Sequence, residues 1–461
     1  MSPRFDVPTH ALAALFWSAI GVSTLTAAYS ALSARDLVYD GSFYLLAIAK
    51  DRNFHIFEPA RLSVQVLQQI PAVFGARLGI DNLWTLGRLF SLGMSGWPVV
   101  LTALCWLALP RGEKNWIAGP FVNIIFAIPA ASFIGISEGI IASCLVWLAV
   151  LLVMFRLAQP FGALMALVAS TACAVAHEAT VLCLLLIGWL AAARFTRLQG
   201  FPRFASALVA AFSATGAFYM ALCIALPRSA VERGDFLVSI LGGFVGSPSA
   251  PNVPAITGIL AALFIAVARL ARRLSTFVAA TGVIAVLACG VVFAFAPSAL
   301  ASPSRFFAAR GLPVALTTML SVLFVLLHRR GTIPRQPVTR PEISILTALI
   351  FSQALMQAAA TNLWHDFVND LRTLVTTKHG VIPHTEAMAA LNPSGNRFRR
   401  ELLESWSVEP LSILLAAGGA VRAVVEPAAT ARWVPYRFAE PQTLPHLPQL
   451  DWSHFPATRG P

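Results

Sequence analysis

The sequence predicts an all-α, polytopic membrane protein of about eleven transmembrane helices, and three observations carry that prediction. First, of 461 residues 57% are hydrophobic and only 12% charged, about half the charged share of a soluble domain, and the mean hydropathy is +0.73. Second, charge-poor apolar runs recur at 11–32, 89–109, 116–135, 139–155, 161–176, 179–193, 204–226, 254–268, 275–296, 311–328 and 343–361. A bilayer asks for about 20 apolar residues per span; the runs at 161–176, 179–193 and 254–268 are shorter. Third, the charges between runs alternate in sign bias. With the N-terminus in the cytoplasm, the inner segments hold 14 of the 33 basic residues and three of the 21 acidic ones, and the outer segments hold the other 19 and 18. An excess of Lys and Arg on short cytoplasmic loops sets orientation. The expected protein is therefore multi-pass in an inner (plasma) membrane, N-terminus cytoplasmic and C-terminus extracytoplasmic. The composition excludes a soluble enzyme, a disordered chain and a low-complexity or collagen-like one.

The first run is about 22 residues long and follows only Arg4 and Asp6. A signal peptide has a shorter apolar core, of roughly 7–15 residues, so a retained helix is expected. A long outer loop follows, 33–88. Within it Leu62, Val66, Ile70, Val73, Phe74 and Leu78 recur at helical spacing, with Gln65, Gln68, Gln69 and Arg77 on the other face. This predicts an amphipathic helix lying flat at the membrane interface. Farther on, the loop 227–253 runs into a Gly/Pro/Ser-rich stretch from Gly242 to Pro254, a loop or lid. The outer loop 297–310 is short and carries Arg305 and Arg310.

Residues 1–361 are thus expected to form the membrane domain, and 362–461 a small, mostly helical extracytoplasmic domain. In the latter, Leu363, Phe367, Leu371, Leu374 and Val375 mark a helix, Asn392 to Asn396 a turn, and Leu411 to Val425 a short apolar helix. The six cysteines all fall inside predicted spans without CxxC spacing, which reads as packing rather than disulfide or zinc chemistry. The net charge of +12 would suggest nucleic acid in a soluble protein. Here no basic polar surface is interleaved with aromatics, so membrane lipids are expected as partners and nucleic acid is not.

Chemistry is concentrated at one membrane face. Asp36 and Asp40 follow the first span; if the segment is helical, their spacing of four puts both carboxylates on one face. A carboxylate at the membrane boundary can take a proton from a hydroxyl nucleophile; the plainer reading is two solvated acids or partners of Arg35. His177-Glu178 and Glu138 sit at outer turns, where ionisable groups near a bundle are costly and candidates for positioning a substrate. The alternatives are a solvated turn and a helix N-terminal acid. Arg305 with Arg310, and then Arg228 with Arg233, are the outer cations placed to meet a phosphate, or to snorkel to headgroups. His379, His384 and Glu386 are read as surface residues. No HExxH, GxGxxG, P-loop or GxSxG motif occurs at a relevant place, and no metal ligand set is assigned.

The stretch Tyr39-Asp40-Gly-Ser-Phe-Tyr44-Leu-Leu-Ala47-Ile48-Ala49 resembles the aromatic-Asp-x-x-x-aromatic-x-x-Ile-Ala motif after the first span of the GPI mannosyltransferases and related GT-C glycosyltransferases. The likeness covers about 15 residues. Tyr39 stands where the family usually has Trp, Ile48 and Ala49 lie one residue late, and Asn53-Phe54 stands near where a Gly-Tyr often follows. The resemblance implies an inverting enzyme that moves a sugar from a polyprenyl-phosphate donor to a lipid, glycan or protein hydroxyl on the outer face. It implies Asp40 as the base, with Asp36 as the second candidate and Tyr44 beside the substrate. A divalent cation is compatible with such chemistry; no other cofactor is implied. The competing class is a transporter or lipid-linked glycan flippase, and a third is a non-catalytic assembly partner. A transporter would place ionisable groups near the midplane, often within inverted repeats, whereas here the runs are nearly free of charge.

Overall fold

The computed structural model describes residues 7–131, 138–226, 246–247, 250–271, 274–301, 311–329, 338–405, 407–415, 423–426 and 428. The chain is a helical bundle. α1 (Val7–Leu32) leads into a 3-10 turn (Arg35–Leu37), α2 (Asp40–Asp51), a second 3-10 turn (Pro59–Arg61), α3 (Leu62–Arg77) and α4 (Leu83–Ala108). A broken segment follows: a 3-10 stretch (Arg111–Ile117), α5 (Ala118–Val122), a π-helical turn (Asn123–Ala127) and α6 (Ile128–Ala131). Then come α7 (Glu138–Phe155), α8 (Pro160–Cys173), α9 (Val181–Phe195), α10 (Gly200–Ala225), the strand pair β1 (Gly246–Ser247) and β2 (Ala250–Pro251), α11 (Val253–Leu270) and α12 (Ser275–Phe295). The chain continues through α13 (Pro297–Leu300), α14 (Gly311–Arg329) and α15 (Arg340–Thr377). It then forms β3 (Gly380–Ile382), α16 (His384–Leu391), α17 (Arg397–Glu404), α18 (Val408–Leu415) and β4 (Ala423–Val425), which pairs parallel to β3.

Among the described residues, nine helices are long and apolar enough to cross a membrane: α1, α4, α7, α9 with its preceding turn, α10, α11, α12, α14 and α15. This is an all-α chain with the character of a multi-pass membrane protein. The other two apolar runs fold differently. Of the run at 116–135, the described residues form a helix from Ala118 to Ala131 whose middle, Asn123–Ala127, is π-helical, preceded by the 3-10 stretch. The run at 161–176 is α8, a helix of 14 residues, or about 21 Å. All six cysteines are free.

Basic side chains gather where helices end. Arg156 Nε donates to the carbonyl of Ala108 (2.9 Å), Arg269 pairs with Glu342, and Arg329 lies 4.1 Å over the Trp189 ring. Lys114 lies 4.5 Å over Trp106.

Three features of the first loop differ from the sequence expectation. α3 occupies the predicted amphipathic segment but runs antiparallel along α4: Trp97 Nε1 donates to Leu67 O (2.7 Å), a Cβ on Gly93 would meet Gln68 O at 2.0 Å, and Gly75 abuts Leu86 and Leu89. Glycine on each helix permits this approach, so α3 aligns with α4 instead of lying flat. Its glutamines point inward, and Gln65, Gln68 and Gln69 are fully buried while Leu62, Phe74 and Leu78 are exposed. For Gln65 and Gln69 the reason is hydrogen bonding, whereas the Gln68 amide is buried with no hydrogen-bond partner among the described residues. Gln65 Oε1 accepts from the N–H groups of Phe57 and Glu58, and Gln69 bonds the His55 backbone N–H and carbonyl, so both clamp the loop before α3.

The third difference is at the acids. Residues 36 to 40 are not one helix. Val38 is extended and Tyr39 has φ +52°, ψ −123°, so Asp36 and Asp40 do not share a face. In the tail, position 362 falls inside α15, which runs unbroken to Thr377. The predicted helix from Leu411 ends as α18 at Leu415, and Ala423–Val425 is a strand, because its backbone pairs with β3.

Candidate functional site

The 34–41 corner is held by opposed constraints. Ala34 (φ +48°) and Tyr39 (φ +52°) both take positive φ without being glycine, which costs on the order of 1–3 kcal/mol each. Gly41 follows because nothing larger fits: a Cβ there would lie 1.8 Å from the Asp36 carbonyl oxygen. The corner is tied down by Trp364 Nε1 donating to Ser33 O (3.0 Å) and Arg88 Nε donating to Leu32 O (3.0 Å).

From this corner Arg35 and Asp36 turn inward, both 6% exposed. Asp36 Oδ2 accepts from the hydroxyls of Ser30 (3.0 Å) and Ser95 (2.8 Å), and its own N–H donates to Ser91 Oγ (3.1 Å). Arg35 Nη1 donates to Gln357 Oε1 (2.9 Å) and Thr361 Oγ1 (2.9 Å) on α15. Burial pushes the Asp36 carboxyl above its usual range, against Arg35 and the two hydroxyls; burial likewise lowers Arg35, against Asp36. The two side chains line a partly open cavity of about 90 Å³ among α1, α4, the broken segment, α7 and α15.

Asp40 instead opens α2 and is half-buried. Its negative charge is felt by Tyr44, one turn later. Tyr44 is 3% exposed and its Oη donates to Glu138 Oε1 (3.4 Å). Burial first, then Glu138 and Asp40, push the Tyr44 phenol far above its normal range, so it stays a donor at all ordinary pH.

Glu138 belongs to a network centred on Arg61. Arg61 Nη1 donates to Glu138 Oε2 (2.7 Å), and its Nε donates to both oxygens of Glu178 (3.0 Å each). Gln65 Nε2 donates to Glu138 Oε1 (3.0 Å), and His177 Nδ1 lies 3.4 Å from Glu178 Oε2. Burial works against the Arg61 charge, but the two carboxylates outweigh it and raise its pKa. His55 packs edge-on against Phe43 (5.1 Å) and Tyr44 (6.0 Å). Burial lowers its pKa, against Asp51, and favours the neutral ring.

Four residues picked from the sequence for substrate positioning, Tyr44, Glu138, His177 and Glu178, therefore converge, with Asp40 beside them. Asp36 belongs to a different, buried environment. Arg228, Arg233, Arg305 and Arg310 lie outside the described residues. Arg61 was missed because its partners lie 77 and 117 residues away; the only local hint was an Arg heading an amphipathic run. Among the described residues, no group of three His, Cys, Asp or Glu is placed to hold a metal ion. Comparisons with protein-family models, curated proteins and solved structures give no match.

Proposed function

We propose that the chain is an integral-membrane, inverting glycosyltransferase of GT-C type that moves a sugar from a polyprenyl phosphate to a hydroxyl acceptor. The observation that carries the reading is the placement of Asp40. It is a half-buried carboxylate opening a helix at the membrane-facing loop, next to a group of donors and acceptors suited to sugar hydroxyls. The acceptor oxygen attacks the anomeric carbon, Asp40 takes the hydroxyl proton, and the anomeric C–O bond to phosphate breaks with inversion. The leaving group is already good, so orientation, proton removal and neutralisation of the phosphate are what the protein must supply. Arg305 and Arg310, with Arg228 and Arg233 behind them, are the cations proposed from the sequence for the phosphate. Tyr44, Glu138, His177 and Glu178 are proposed to frame the substrate. The charge bias of the loops supports Asp40 and the tail lying outside the cytoplasm.

Asp40→Asn is nearly isosteric and cannot act as a base. Transfer from polyprenyl-phosphate sugars, followed by mass spectrometry of the product, is expected to fall about 10²–10⁴-fold in this variant and less in Asp36→Asn. Normal turnover in both would remove the proposal. The alternative is a lipid-linked glycan flippase or transporter. Lipid-sugar translocation in proteoliposomes that is indifferent to Asp40→Asn would establish that reading instead.

A further inference from the structure

The cavity beside Asp36 carries a feature that the Asp40 site does not use. Arg35 is 6% exposed, and its Nε is buried without a hydrogen-bond partner among the described residues. A buried guanidinium N–H is expensive to leave unsatisfied. Arg35 lines a cavity of about 90 Å³, several times the ~10–15 Å³ that one water requires. Its remaining polar lining is Asp36, Ser23, Thr26, Ser95 and Gln357. These are hydroxyl and amide groups set among the apolar side chains of spanning helices, a composition that suits a small polar head carried on a hydrocarbon tail.

We infer that this cavity seats the phosphate of a membrane lipid, with Arg35 as its cation and the Ser23 hydroxyl as a neutral donor. The seat does not depend on the transferase reading, because the lining does not include Asp40. Arg is the side chain whose planar fork matches phosphate oxygens. The Asp36 carboxylate beside it is held from the α1 and α4 side, where Ser30 and Ser95 donate to its Oδ2.

The test uses the full chain purified in detergent and polyprenyl monophosphate as probe, with phosphatidylglycerol as a parallel arm. Saturable binding is expected in the wild type, at least about tenfold weaker in Arg35→Gln for loss of a charge-assisted bond. Thr26→Leu, which narrows the cavity from α1 and touches no Arg35 bond, is expected to weaken it as well, and it serves where Arg35→Gln fails to fold. Equal binding by wild type, Arg35→Gln and Thr26→Leu would overturn the seat. The probe that binds more tightly identifies the lipid class that supplies the phosphate, and failure of both to bind saturably would overturn the seat. Probe binding that depends on Arg35, in a protein that transfers no sugar, would leave the seat standing and sink the transferase reading alone.

Discussion

The Arg61 network and the Arg35–Asp36 cavity each bury an arginine near an acid, and they solve the problem in opposite ways. Arg61 meets Glu138 and Glu178 directly, at 2.7 and 3.0 Å, joining the loop before α3 to the start of α7 and the turn before α9. Each carboxylate has a countercharge within hydrogen-bond reach. Arg35 and Asp36 are adjacent in the chain, yet their hydrogen bonds run to neutral groups on α1, α4 and α15, and a void lies between those helices. A closed ion network acts as a joint, because breaking it strands a buried charge. A charged pair satisfied by neutral groups beside a void tolerates change and leaves room for a ligand.

The comparison is sharpest at its centre. Arg61→Ala leaves Glu138, 6% exposed, without its cation, and is expected to cost about 3–5 kcal/mol. Thermal unfolding in detergent would show it, and a shift no larger than that of a surface variant would mean the network is not a joint. Arg35→Gln should cost less, about 1–3 kcal/mol, since its partners Gln357 and Thr361 are neutral and Asp36 can take up a proton.

A half-buried acid tests the same logic with no cation paired to it among the described residues. Glu409 on α18 is pushed up to about 7 by burial and by the neighbouring Glu426. Its folded pKa is raised, so its stabilising contribution is complete below the unfolded value, near 4.3, and is lost as pH rises through about 7. Glu409→Gln should therefore raise the unfolding temperature at pH 8, by on the order of 2–3 kcal/mol in stability, and change little at pH 4. A benefit equal at both pH values would show that titration is not its cause. Ser95→Ala removes one of the two hydroxyls on Asp36 and should cost about 1 kcal/mol; a larger loss would place the cavity closer in kind to the Arg61 joint. Finally, a cysteine at the exposed Ser394 should label only from outside the cytoplasm. Labelling from inside alone would invert the bundle and put both acid sites on the cytoplasmic face.

The spans were legible in the sequence because long apolar runs and the charges bounding them are local properties. Hydropathy marked α1, α4, α7, α10, α11, α12, α14 and α15 to within a few residues at most ends; α15 outran its mark because its later turns, around Trp364 and Phe367, bury an amphipathic face against the bundle. Glu138, His177 and Glu178 each sit where an apolar run begins or ends, whereas Tyr44 is picked out only by the family resemblance. What hydropathy could not decide was direction. The glutamines of α3 look like a solvent face by periodicity, yet Gln65 and Gln69 are buried because backbone groups of the 53–58 loop need partners there. Asp36 and Asp40 look equivalent at a spacing of four. They part because the backbone turns at Val38 and Tyr39, a corner held by its own hydrogen bonds, Val38 N–H to Arg35 O and Gly41 N–H to Val38 O, and anchored on its near side by α4 and α15. Arg61 drew no notice among the loop's charges, because only the folded chain brings two carboxylates from distant helices onto one guanidinium.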